Sequence, residues 1–122
     1  MKIDSTMVDS QEYFAETLRK NNKIEEAVNI LRSLKKTIYG HVVLAKCYED
    51  MQEYDKAFFL LRGVFEYGGS NIFFLKNFIN ISMKNSEYIY AEKAIMLLRN
   101  ISVNYDELNI YLNHIQKYLK KV

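Results

Sequence analysis

Residues that break secondary structure are scarce in this sequence, which has no proline and only four glycines in 122 residues. The turns of sheet-rich folds depend on both residue types, so their scarcity argues against a β-rich protein. The single cysteine, Cys47, excludes a disulfide bond within the chain and indicates a reducing compartment.

Long apolar runs and an excess of one charge are also missing. No run approaches the roughly 18 residues of a membrane span, and residues 1–10 lack the apolar core of a signal peptide. The 17 basic and 15 acidic residues give a net charge of +2, which is too balanced to indicate a nucleic-acid binder. We therefore expect a protein of the cytoplasm or nucleus that has no membrane partner.

What the sequence does contain is helical periodicity. Apolar residues make up 49% of the chain, and they recur at the spacings of three and four that are typical of amphipathic helices. The pattern predicts an all-α protein of about seven helices. Because the connecting turns are short, neighbouring helices should be antiparallel.

Individual residues predict several helix ends. Asp9 or Ser10 is expected to cap the first helix, with Glu12 as the capping-box partner of Asp9. The third helix is predicted over about residues 38–51 and the fourth over about residues 54–67.

Two further predictions concern the first and last helices. The first helix is expected to bury Phe14, Ala15 and Leu18 on one face. The seventh helix is expected to start at Asn104, because Glu107 follows it at capping-box spacing.

Three segments of the chain share one shape: a large apolar residue, two mostly polar residues and an alanine. They are IEEA, YDKA and YIYA, and their alanines, Ala27, Ala57 and Ala91, lie 30 and 34 residues apart. A period of about 34 residues is typical of a repeat made of two helices.

The sequence resembles the tetratricopeptide repeat family at these positions. The second repeat carries the likeness most clearly, through Leu44, Ala45, Tyr48, Tyr54, Ala57 and Leu61. The first repeat matches through residues that include Ala15, Leu18 and Ala27, and the third through Tyr88 and Ala91. In the third repeat Ile79 and Ser82 stand at the family's small and aromatic positions, and the register could instead slip to Ala94.

The resemblance implies one domain over residues 1–122, with helix hairpins stacked as a right-handed superhelix. The repeats would cover about residues 8–37, 38–71 and 72–104, and a capping helix about residues 105–121. In this family alanines let paired helices approach closely, so Ala45 and Ala57 should face each other where two helices cross.

The first helix of each pair lines a groove in this family, and partners bind there. By resemblance, the groove positions are Glu12, Glu16, Tyr39, Val42, Val43, Lys46, Phe73, Lys76, Asn77 and Asn80, together with Asp9 and Tyr13. We therefore expect an acidic end and an apolar middle, which suit a basic-apolar segment or another helix.

Co-chaperones of the family hold a peptide's terminal carboxylate with lysine, asparagine and arginine side chains. The equivalent residues here are Glu12, Glu16, Val43, Phe73 and Asn77. Two carboxylates at these positions would repel such a peptide, which argues against a receptor of that kind.

No catalytic or metal-binding constellation is visible. His41 and His114 lack a second ligand at metal spacing, so packing is expected for the first and a surface position for the second. Cys47 has no histidine partner, so we expect it to be a buried, inert thiol. We expect no enzyme activity, no cofactor and no small-molecule substrate.

The chain has two pairs of adjacent phenylalanines, at residues 58–59 and 73–74. The sequence does not decide how their rings pack. Adjacent helical residues point about 100° apart, so one ring of each pair can be buried while the other faces outward. Packing within or between repeats and a partner-binding patch are both compatible with this pattern.

The run LAKCYEDMQEYDKAFFLLRG also resembles the N-terminal repeats of tetratricopeptide subunits of the anaphase-promoting complex. Those subunits are cell-cycle scaffolds that often form homodimers. Bacterial secretion chaperones of the family are usually acidic, and this chain is not. We therefore expect a non-catalytic scaffold or assembly subunit that binds a protein or peptide.

Three alternatives remain. The first is a peptide-binding adaptor or co-chaperone without a carboxylate clamp. The second is a helical-repeat RNA binder, which would need a basic stripe. The groove positions offer only Lys46 and Lys76 as basic residues, and the acidic Glu12 and Glu16 oppose their charge. The third is an enzyme with an unrecognised site.

Overall fold

The structure is a computed structural model that describes residues 5–101 and 106–119. These residues form the helices α1 (Ser5–Lys20), α2 (Ile24–Ser33), α3 (Ile38–Asp50), α4 (Tyr54–Glu66), α5 (Ile72–Lys84), α6 (Tyr88–Ile101) and α7 (Asp106–Leu119). No strand occurs among the described residues, and the all-α fold class is confirmed.

The helices belong to two compact units. The described residues up to Tyr67 form the first unit, in which α1 packs on α2, α3 packs on α4, and α3 also contacts α1 and α2. The described residues from Gly68 onward form the second unit, in which α6 packs on both α5 and α7. Within these units the helices pair in chain order, as the short turns predict.

The turn inside each of the three hairpins, α1/α2, α3/α4 and α5/α6, has one shared geometry. A residue with left-handed backbone follows the first helix: Asn22 (φ 64°), Gln52 (φ 61°) and Ser86 (φ 58°). The next amide then donates back over the turn to close a Schellman motif. These bonds run from the amide nitrogens of Lys23, Glu53 and Glu87 to the carbonyl oxygens of Leu18, Tyr48 and Ser82, each at 2.8 Å.

This shared turn sets the register of the third repeat. Ser82 accepts the same hydrogen bond as Tyr48, so it occupies the equivalent position. Ala91 then corresponds to Ala57, and the alternative register at Ala94 is wrong. Ala94 is nevertheless buried as well.

Side chains cap two of the helices that begin a hairpin. Thr37 caps α3, where its Oγ1 accepts from the amide of Gly40 at 3.3 Å. Asn71 caps α5, where its Oδ1 accepts from the amide of Phe74 at 2.7 Å. Such caps satisfy amides that have no partner within the helix.

The predicted start of the first helix is wrong. Helix α1 begins at Ser5, so Asp9 and Ser10 lie in its interior and Glu12 is no capping-box partner. No glycine or proline stands before Asp9 to stop the helix there. The predicted ends of α3 and α4 are each one residue too late, and Asn104 lies outside the described residues.

The predicted burial of Phe14 is also wrong, because 53% of this residue is exposed. Ala15 and Leu18 are buried, and Phe14 points about 100° away from Ala15. The same rotation separates the two phenylalanine pairs, as predicted. Phe58 and Phe74 are buried, whereas Phe59 and Phe73 are exposed.

Each unit has its own apolar core. In the first unit the core joins Ala15, Leu18, Ala27, Val28, Leu31, Val43, Leu44 and Cys47. In the second unit Phe74 and Phe78 stack with ring centroids 5.8 Å apart, and Tyr90 meets Phe78 edge-on at 6.3 Å. The buried alanine Ala91 lies on the helix that packs against these rings.

Candidate functional site

Helices α1 and α3 lie side by side and run in the same direction. Glu12, in the first half of α1, contacts Thr37 at the start of α3. Arg19, near the end of α1, contacts Asp50, the last residue of α3. The two contacts hold the helices together at both ends.

The first of these contacts buries a carboxylate. Glu12 is only 1% exposed, and its Oε2 accepts from the amide of Thr37 at 2.9 Å while its Oε1 accepts from Thr37 Oγ1 at 2.7 Å. A negative charge at a helix N-terminus also interacts favourably with the helix dipole. Glu12 therefore extends the cap of α3, and its expected place on the groove surface is wrong.

Gly40 makes this arrangement sterically possible. A Cβ atom built on Gly40 would lie 2.6 Å from Cδ of Glu12, and closer still to its Oε2. Any other residue at this third position of α3 would push against the buried carboxylate.

The second contact forms a three-residue ionic network. Arg19 donates to both carboxylate oxygens of Glu16, from Nε at 3.1 Å and from Nη2 at 2.6 Å, and its Nη1 donates to Oδ2 of Asp50 at 2.8 Å. The hydrogen bond to Glu16 is the largest of the effects that raise the pKa of Arg19 above its ordinary value. Glu16 is thus paired within the chain, and the expected acidic end of the groove is wrong in this respect too.

Between the two contacts lies an aromatic pair. The rings of Tyr13 on α1 and Tyr39 on α3 are tilted by 40°, with centroids 5.1 Å apart. Tyr13 is 62% exposed, and Tyr39 is half-buried. We call the surface formed by Tyr13, Glu16, Arg19, Tyr39 and Asp50 the α1/α3 face.

The other candidate groove residues of α3 are less accessible. Val42 and Val43 are buried, so they cannot be a surface patch, and the expected apolar middle of the groove is wrong for these two residues. Val43 belongs to the core of the first unit, and Val42 is 0% exposed. Lys46 is half-buried.

The candidate groove residues of α5 belong to the second unit. Phe73 and Lys76 are exposed, and Asn77 and Asn80 are half-buried. The side-chain amide of Asn77 donates to the carbonyl oxygen of Phe73 at 2.9 Å. These four residues lie on the outer side of α5, opposite its buried Phe74 and Phe78.

The predicted packing residues lie in the interior or at its edge. Ala15, Leu18, Ala27, Leu44, Ala45, Ala57, Leu61 and Ala91 are buried, and Tyr48, Tyr54 and Tyr88 are half-buried. The small residues among them lie on helices that pack against each other.

The remaining reactive side chains show no catalytic arrangement. Burial raises the pKa of the Cys47 thiol to about 11, which leaves it protonated near neutral pH. His114 is exposed, as predicted. His41 is half-buried, and its Nδ1 lies 2.8 Å from the carbonyl oxygen of Thr37. Within residues 5–101 and 106–119, no group of three or more His, Cys, Asp or Glu side chains could hold a metal ion.

Sequence reasoning missed Thr37, Gly40, Arg19 and Asp50 as parts of this surface. One signal was available for the first contact. A glycine in the first turn of a predicted helix needs a reason, and a close side-chain approach is a common one. No comparable signal marked Arg19, because its partner Asp50 is 31 residues away.

Within the described part of the chain, no helix is long and apolar enough to cross a membrane. Among known protein families, the model described as anaphase-promoting complex, cyclosome, subunit 3, matches residues 3–64, which is half of the chain. No match is found among curated proteins.

Solved structures of two bacterial proteins share the fold. The type III secretion translocator chaperone SycD of Yersinia enterocolitica is 17% identical, with a TM-score of 0.69 over 98% of this chain and 86% of that chain. SycD in complex with a peptide of the translocator YopD gives 17% identity and a TM-score of 0.68 over 99% and 95%. PcrH of Pseudomonas aeruginosa gives 10% identity and a TM-score of 0.68 over 98% and 94%.

Proposed function

The chain belongs to the tetratricopeptide-like family of the anaphase-promoting complex, cyclosome, subunit 3, and from this we propose that it is a non-catalytic protein-interaction module. In this proposal it serves as a scaffold or assembly subunit of a multiprotein complex in the cytoplasm or nucleus. The α1/α3 face is the surface at which a segment of the partner binds.

The observation that carries this proposal is the pair formed by Tyr13, which is exposed, and Tyr39, which is half-buried. Tyrosine is enriched at protein interfaces because a rigid apolar ring and a polar hydroxyl group contact a partner at a small cost in entropy. The Glu12–Thr37 and Arg19–Asp50 contacts fix the two helices that carry these rings. A surface ordered in advance loses less free energy on binding than a mobile one.

Two finer assignments follow from the family. One is membership of an assembly like the anaphase-promoting complex, and the other is a homodimer, since the subunits that this sequence resembles often pair through their N-terminal repeats. The family match covers the whole of α1, α2 and α3, including the Tyr13–Tyr39 pair.

A second candidate function is a peptide-binding adaptor. The similarity to the Yersinia chaperone structure that contains a YopD peptide favours it. In both candidates the chain binds a polypeptide, so they differ in the partner and not in the kind of contact.

The experiment compares tagged wild-type protein with two variants, each purified gently from its own cells with the proteins that accompany it. Tyr13→Ala removes the exposed ring of the α1/α3 face. Tyr67→Ala is the matched control, because Tyr67 is 96% exposed and lies beyond the end of α4.

A partner that is retained at fixed stoichiometry by the wild type and Tyr67→Ala, but lost from Tyr13→Ala, supports the proposal. Ubiquitin-ligase subunits would favour the scaffold, and a secretion machine or chaperone would favour the adaptor. Equal recovery of every partner by both variants would contradict the assignment to the α1/α3 face.

A further inference from the structure

We propose that the Tyr13–Tyr39 pair binds the cationic side chain of a lysine or arginine in the partner segment. The inference rests on the proposed function, and it adds the chemical class of the residue that is recognised. It also assigns the contact to the aromatic rings, whereas the family resemblance implies an acidic end of the groove at Glu12 and Glu16.

The geometry supplies an aromatic surface at which a cation can bind. The two centroids are 5.1 Å apart, and most of the Tyr13 ring stays in solvent. A guanidinium or ammonium group within about 6 Å of a ring centroid is attracted by the negative face of the ring. A partner side chain can reach Tyr13 without any movement of the backbone.

The charges around the pair favour a cation. Asp9 lies one helical turn before Tyr13 on the same side of α1, and it is exposed. Glu12, Glu16 and Asp50 add three further carboxylates along the contact between α1 and α3, and Arg19 is the cation that pairs with two of them.

The same charges shift the pKa of the Tyr39 hydroxyl group. Burial raises its pKa above the ordinary value, the carboxylates of Glu16 and Glu12 raise it further, and Arg19 acts in the opposite direction. A carboxylate or phosphate at this position would be repelled.

The engaged carboxylates also explain why the rings are the contact. Both oxygens of Glu12 already accept hydrogen bonds from Thr37, and both oxygens of Glu16 accept from Arg19. They contribute negative potential, but each is already held by a partner within the chain. The cation therefore contacts the ring faces, and Asp9 adds an exposed carboxylate one helical turn away on α1.

The test uses two capped dipeptides as probes, acetyl-leucyl-arginine methylamide and its citrulline analogue, which is neutral and almost identical in shape. Tyrosine ring resonances of the full chain are followed by NMR during titration to tens of millimolar probe. We expect the arginine probe to shift the Tyr13 and Tyr39 resonances, to spare Tyr67, and to bind about two- to fivefold more tightly than the citrulline probe. Equal shifts with both probes, or shifts of Tyr67 as large as those of Tyr13, would overturn the proposal.

Two variants complete the test. Tyr13→Phe keeps an aromatic face and should retain the preference for the arginine probe, whereas Tyr13→Leu should lose it. A preference that survives in Tyr13→Leu overturns the proposal, since the ring is then not the contact.

The outcomes also separate this inference from the proposed function. If partner recovery depends on Tyr13 but the probes bind equally, the cation proposal fails and the interaction face stands. If the arginine probe is preferred but partner recovery ignores Tyr13, the proposed interaction face fails and the cation site stands.

Discussion

Replacing Gly40 with alanine should destabilise this protein, although the same change stabilises most helices. Alanine is favoured over glycine in a helix by about 0.5–1 kcal/mol. At this position, however, the new methyl group would lie 2.6 Å from Cδ of the buried Glu12 side chain. Glu12 would have to move away, and its hydrogen bonds to Thr37 would be lost or lengthened.

The expected net cost follows from these opposing effects. Overpacking in a well-packed interior typically costs about 1–3 kcal/mol, and a hydrogen bond to a charged group contributes about 1.5–3 kcal/mol. The two costs are alternative outcomes of one clash. Because Glu12 moves away, the lost hydrogen bond is the cost that counts, and subtracting the gain in helix propensity leaves a net destabilisation of about 0.5–2.5 kcal/mol for Gly40→Ala. The measurement is equilibrium unfolding in urea, followed by circular dichroism and by tyrosine fluorescence.

The chain offers a matched control in Gly63, which lies inside α4. A Cβ atom at Gly63 would meet nothing within 4 Å, so Gly63→Ala should stabilise the protein by about 0.5–1 kcal/mol. In a Glu12→Ala background, Gly40→Ala should lose its cost, because the clashing side chain is gone. The reasoning is refuted if Gly40→Ala stabilises as much as Gly63→Ala, or if its effect is the same with and without Glu12.

Three other changes test the interior. Ala57→Leu should cost about 1–3 kcal/mol, because Ala57 is fully buried where α3 and α4 pack; thermal unfolding equal to that of the wild type would contradict it. Ser82→Ala should be neutral or stabilising by up to about 1 kcal/mol, since the buried Ser82 hydroxyl has no hydrogen-bond partner among the described residues; a clear loss of stability in urea would show that the hydroxyl is bound. With its pKa at about 11 instead of 9.0, the Cys47 thiol should react about 100-fold more slowly than a free thiol with a disulfide reagent at pH 8, and urea should restore the rate; fast labelling of the folded protein would refute its burial.

The fold was predictable because its determinants are local. Spacings of three and four residues place the helices, and alanines at repeated positions mark the sites of close packing. The split of the phenylalanine pairs follows from the helical rotation alone, whereas the burial of Ala45 and Ala57 was expected from the family resemblance. The register of the third repeat was harder, since Ser82 replaces the usual aromatic residue and only the backbone turn shows its equivalence to Tyr48.

The candidate site was less predictable because its contacts join distant parts of the chain. Family position places Glu12 and Glu16 in the groove, but it cannot show what their carboxylates contact. Glu12 bonds to a residue 25 positions away, and Arg19 bonds to one 31 positions away. Val42 and Val43 were placed in the groove by family position as well, and family position did not show that residues 42–45 are all buried.

This burial changes how binding data on the α1/α3 face must be interpreted. A substitution at Glu12 removes the acceptor that holds Thr37, the cap of α3, and so loosens the helix that carries Tyr39. It can therefore weaken partner binding although Glu12 itself is only 1% exposed. Arg19 acts in the same way at the other end of α3 through Asp50. A loss of binding after substitution of either residue therefore shows that the α1/α3 face must be ordered, whereas the comparison of Tyr13 with Tyr67 tests direct contact with the partner. Only a set of variants that contains both kinds of residue can distinguish residues that contact the partner from residues that hold the face in place.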